Sequence, residues 1–115
     1  MKDNKLIAEF MGLESREHIN VRDLSHTVSF FVPVVSTGYE GGNWLTCGML
    51  PYHTWDWLMP VVCKIESLGY VFTIQGGKAE YGEMISEARC FIAEDKLTST
   101  YTAVIEFIKE YNDEQ

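Results

Sequence analysis

Between Thr54 and Gly69 the apolar residues Trp55, Leu58, Met59, Val62 and Ile65 recur at helical spacing and trace one stripe. Thr54 predicts the N-cap, because its side-chain oxygen can accept a free first-turn N–H. Gly69 suits the left-handed residue that closes a helix. Pro60 removes an interior N–H and crowds the carbonyl four residues back, which predicts a kink or an irregular first turn. Trp57 and Val61 widen the stripe, so a core helix buried on more than one face is expected.

After Gly69 the period changes from helical to two. Tyr70, Phe72 and Ile74 alternate with Val71 and Thr73 as a strand. Gly76-Gly77 then supplies a hairpin turn. Lys78 to Glu83 returns with Ala79 and Tyr81 on one face, and Glu87 to Ala93 continues with Ala88, Cys90 and Ile92 alternating with Arg89 and Phe91. Asp95 is placed to cap a last helix whose apolar face is Leu97, Tyr101, Val104, Ile105 and Ile108, continuing to Tyr111.

The first half is less regular. Leu6, Ile7, Phe10 and Met11 share a face of a short helix capped by Asp3 and ended by Gly12. Leu13 to Ser25 is polar and mixed and reads as a loop with at most one helical turn. His26 to Val35 is β-branched and aromatic, hence a strand, and Pro33 ends it or confines it to an edge. STGYEGGNW is a loop by composition, and WLTCGML reads as a brief strand before Pro51. The sum is an α+β fold, in the order α-β-α-β-β-β-α: a small antiparallel sheet of three or four strands sandwiched by two or three helices. One domain over residues 1–115 is expected, with 13–50 its variable part and 51–111 its best-defined part.

Hydrophobic residues make up 46% of the 115-residue chain, enough for a core without metal or disulfide staples. No secretory apolar region follows Lys2, Asp3 and Lys5, and no apolar run approaches the roughly 20 residues of a membrane span. A cytoplasmic protein is expected. Cys47, Cys63 and Cys90 are odd in number and contain no CxxC pair. They read as buried free thiols, with Cys63 and Cys90 in packed elements and Cys47, in a loop-like stretch, the one expected to be reactive.

The net charge is −8, from 9 basic and 17 acidic residues, and residues 78–115 carry −5 of it. Direct binding to nucleic acid is disfavoured, because it depends on basic groups that displace counterions from phosphate. A partner with a basic surface is favoured instead.

The runs WDWLMPVV, KIESLGY and AVIEFIKEYN, with the opening NKLIAEFMGL, resemble small proteins of the phage ABA-sandwich family, which occur in phages and prophage-rich genomes. The resemblance covers about two-thirds of the chain, the N-terminal helix and everything from Trp44 onward. Ile19 to Gly42 has no counterpart in it. It implies an α/β sandwich and a phage or mobile-element origin, and it carries no general activity.

No catalytic, metal or cofactor site is expected. Zinc sites usually show a close ligand pair, whereas the nearest pairs here are His18 with His26 and Cys47 with His53. A Cys47–His53 nucleophile pair lacks an orienting third group. Two candidate contact surfaces remain. Tyr39, Trp44 and Tyr52, with Glu40 beside Tyr39, surround a surface whose aromatic residues are of the kind enriched at binding hot spots. Glu106, Glu110 and Asp113 share a face of the last helix. Together they favour a non-enzymatic interaction protein acting on a basic host surface, concretely an anti-CRISPR-like inhibitor of a bacterial defence nuclease. A self-assembling phage accessory protein, forming a homo-oligomer, and a small-molecule-sequestering protein are the alternatives.

Overall fold

Glycine, proline and capping residues punctuate the chain into three helices and six strands among the residues that the computed structural model describes, which are 3–19, 21–24, 26–32, 43–46, 49–83 and 88–113. In order these are α1 (Asn4–Phe10), β1 (Ser15–Ile19), β2 (His26–Val32), β3 (Asn43–Thr46), α2 (Trp55–Ser67), β4 (Val71–Gln75), β5 (Lys78–Gly82), β6 (Arg89–Ile92) and α3 (Lys96–Asp113). The fold is α+β, and from α2 onward the expected α-β-β-β-α order is observed. The strands form two three-stranded antiparallel sheets, β1-β2-β3 and β4-β5-β6. The chain divides into two compact units, Met1–Leu50 and Pro51–Gln115. No helix among the described residues is long and apolar enough to cross a membrane.

In the first unit β2 is the central strand. Phe30 and Val32 point to one side and are fully buried, with Leu45 opposite Phe30. Phe31 points to the other side opposite Trp44, their rings 5.4 Å apart, and the Arg16 guanidinium lies 4.3 Å over the Trp44 ring. Strand β1 replaces the expected loop. All five of its residues are exposed, so no hydrophobic alternation marks it, and it is held by backbone pairing to β2. In α1, Ile7 and Ala8 are buried, and the buried Asn4 amide donates to the Leu50 carbonyl at 3.0 Å. Asp3 occupies the N-cap position without a side-chain capping bond.

In the second unit α2 buries Leu58, Val61, Val62 and Ile65, an i, i+3, i+4, i+7 set that defines one face. Trp55 and Met59 fall on its flank and are exposed, as is Cys63 one turn on. The helix is therefore amphipathic, correcting the expectation of burial on several faces and of a packed Cys63. Thr54 sits at the N-cap, but its hydroxyl donates back to the Pro51 carbonyl at 2.9 Å instead of accepting from the first turn. The helix runs on from Trp55 to Ser67 with Pro60 inside it, and in its first turn the Thr54 carbonyl accepts from both Trp57 and Leu58. Gly69, at φ +99°, ends the helix in the left-handed region where a Cβ would be strained.

The β4–β5 hairpin turns at Gly76-Gly77. A Cβ on Gly77 would lie 2.5 Å from the Ala93 carbonyl oxygen, so only glycine lets the chain just after β6 approach and bond there. Phe72, Ala79 and Tyr81 face inward together, as their alternation predicts. On β6, Arg89 and Phe91 share that side, opposite Tyr81 and Ala79. Cys90 and Ile92 point outward and are exposed, so Cys90 is not the packed thiol expected. Helix α3 buries Tyr101, Val104, Ile105, Phe107 and Ile108.

Asp95 caps α3: its carboxylate accepts from the Thr98 N–H at 2.7 Å. That bond holds the carboxyl below its ordinary value of 3.8. A depressed carboxyl stabilises the fold fully above its unfolded value and loses that contribution as pH falls through the folded one. Asparagine caps comparably but does not titrate. We expect wild type to melt above Asp95→Asn near neutral pH, with the gap closing as the pH drops below 3.8. Paired melting curves across that range check it.

Candidate functional site

The second unit carries a groove where the end of β5, the start of β6 and the last turns of α3 meet. Register places Tyr81 opposite Arg89 on the inward side of the sheet. Helical spacing brings Phe107, Glu110 and Tyr111 over the same end. The groove has a volume of about 210 Å³, with Tyr70, Tyr81, Phe107 and Tyr111 as its aromatic lining and Glu83, Arg89 and Glu110 as its charged groups.

The aromatic rings support one another. Phe107 sits edge-on to Tyr70 at 4.8 Å and to Tyr81 at 5.4 Å, and stacks with Tyr111 at 5.8 Å. Tyr81 stacks between Phe72 and Phe91. Offset and edge-on pairs of this kind suit the ring quadrupoles and fix the lining geometrically.

Around Tyr81 the polar groups converge. Its hydroxyl donates to Glu110 Oε2 at 2.9 Å and accepts from Arg89 Nη1 at 3.3 Å, while Arg89 also pairs with Glu110 Oε1. Arg89 lies 5.2 Å over the Phe91 ring. Burial pushes the Tyr81 phenol above its ordinary value, Arg89 pulls it back, and the Glu106 carboxylate raises it again. Glu106 therefore acts on the same hydroxyl as Glu110. Glu83 and Glu110 line the groove with the Arg89 guanidinium, and Glu106 acts on Tyr81 through its charge from beside it.

Of the residues expected to form contact surfaces, Glu106 and Glu110 are brought together around Tyr81. Glu106 also pairs loosely with Lys109 at 3.8 Å, and Asp113 is exposed near the end of the helix. Tyr52 is 3% exposed and packs edge-on against Trp57, with burial pushing its phenol up to about 12. A side chain buried so fully adds no contact area, which removes it from the aromatic surface. Trp44 belongs to the other unit, in its stack with Phe31 and Arg16. Tyr39, Glu40 and Cys47 lie outside the described residues.

Tyr70, Tyr81, Glu83, Arg89, Phe107 and Tyr111 were not expected as a site. One signal was available, a charged residue on the inward phase of a strand. Arg89 shares with Phe91 the face that the helix covers, and a cation there calls for a carboxylate from the packing helix. Among the described residues, no group of three or more His, Cys, Asp or Glu side chains is placed to hold a metal ion. Compared with known proteins, the chain matches no protein-family model, no curated protein and no solved structure.

Proposed function

We propose that the protein is a non-enzymatic interaction protein that acts by occupying a basic surface on a partner protein. The carboxylate-edged aromatic groove carries this reading. It combines the half-buried rings of Tyr70 and Tyr111, held in place by the buried Tyr81 and Phe107, with a negative rim that selects a positive partner. The surplus is general as well as local: residues 51–115 hold 11 acidic and 5 basic side chains, a balance of −6. The resemblance to phage proteins directs the reading toward a host nuclease of bacterial defence, whose basic channel such a surface would block, as an anti-CRISPR protein does.

Self-association is the second reading. The β1–β2 turn presents Ile19 at 50%, Val21 at 89% and Leu24 at 72% exposure, an apolar tip of the kind that marks contact sites.

Capture from host lysate at low and high salt, with mass spectrometry, tests both. Wild type is expected to retain a nucleic-acid-processing protein at low salt and to release it at high salt. Glu83→Lys/Glu106→Lys should lose that protein while melting as wild type does. Retention by the double variant rejects the acidic rim as the contact. Recovery of the protein alone, as an oligomer by light scattering, transfers the reading to self-association.

A further inference from the structure

We infer that the groove is a receptor for one arginine side chain of the protein partner, taken up in exchange for the chain's own Arg89. This rests on the proposed function and names what the partner inserts.

The groove already holds a guanidinium. Arg89 meets a carboxylate at Glu110 and the Tyr81 hydroxyl, with an aromatic face beneath it at Phe91. Planar, weakly hydrated and rich in donors, a guanidinium suits this combination better than an ammonium does. The arrangement around Arg89 is thus a template for its ligand.

The resident cation is loosely held. The side chains of Arg89 and Glu110 are 49% and 44% exposed, and an ion pair that open to water contributes little and exchanges readily. Among the described residues Glu110 accepts from Tyr81 on one oxygen and from Arg89 on the other, whereas a carboxylate offers about four lone-pair sites. Glu83 adds a second carboxylate to the lining, which an incoming guanidinium can meet as it displaces Arg89 from Glu110. The remaining space of about 210 Å³ matches roughly seven waters, room for a single long side chain. Tyr70 and Tyr111 give that space part of its aromatic lining.

Titration of the whole chain with the peptide acetyl-Gly-Arg-Gly-amide, followed by NMR of the tyrosine rings, tests this without any partner. Wild type is expected to show saturable shifts with a Kd on the order of millimolar. Arg89→Gln, which removes the competing guanidinium, should bind about tenfold tighter, a gain of about 1.4 kcal/mol. The lysine peptide should bind several-fold weaker to both. No saturable shift in Arg89→Gln, or equal affinity for wild type and variant, overturns the exchange. Equal response to the arginine and lysine peptides overturns guanidinium recognition. Should Arg89→Gln not fold, Tyr111→Ala decides: loss of the wild-type shifts supports the receptor and their retention overturns it. A null titration beside intact capture from lysate shows that the partner binds elsewhere on the acidic surface, so the two readings fail separately.

Discussion

Phe107→Ala is expected to destabilise the second unit by about 3–5 kcal/mol, the usual cost of emptying a buried aromatic site. Phe107 is 2% exposed and contacts the rings of Tyr70, Tyr81 and Tyr111 at once. Its removal leaves a void that three other side chains line. Those rings come from a strand, a strand approach and the helix itself, and they cannot collapse together without moving the sheet against α3. Each aromatic pair also carries about 0.5–1.5 kcal/mol beyond its buried area. Against a typical total of about 5–15 kcal/mol, a loss of this size leaves a marginal fold. Denaturant titration should show the midpoint falling sharply. A fall under about 1 kcal/mol would mean that the four rings do not form a shared core.

Leu58→Ala is expected to cost about 2–5 kcal/mol, whereas Met59→Ala should stay within about 0.5 kcal/mol of wild type. The two residues are neighbours in α2 and both stand in the stripe that spacing predicts. Leu58 is fully buried, however, and Met59 is 37% exposed. For a unit of this size each kcal/mol moves the melting temperature by about 4–8 °C, so paired melts separate the two variants plainly. Equal losses would mean that the buried face extends to Met59 as well as Leu58.

This contrast shows where the sequence was legible. That α2 is a helix, and where it ends, followed from Thr54, the 3.6-residue period and Gly69. Its phase did not, because Trp55, Leu58, Met59, Val61 and Val62 are apolar on several sides, and only the sheet selects which set is covered. The misplaced thiols of Cys63 and Cys90 follow from the same ambiguity. The β4–β5 hairpin was readable because alternation and Gly76-Gly77 agree. Strand β1 was not, since SREHI is exposed on both faces and depends on a partner strand for its conformation.

The groove was half legible for a related reason. Glu106 and Glu110 were apparent as acidic residues on one helix face. Their aromatic surroundings come from Tyr70, Tyr81 and Tyr111, separated by tens of residues and joined only by strand register and helix docking. Nothing local marks them as neighbours. Arg89 carried the clue, being a cation on the inward phase of a strand.

The strand orders β1-β2-β3 and β4-β5-β6 have a consequence for how the chain breathes. In each sheet one strand, β2 or β5, is bonded along both sides, and its two neighbours are each bonded to one strand among the described residues. Local opening therefore starts at the margins and reaches the middle strands last. Tyr81 belongs to β5 and Arg89 to β6, so the groove straddles that boundary. Its tyrosine is anchored on the slowest-opening strand and its arginine on one that loosens early, which gives the two halves of one polar contact different lifetimes.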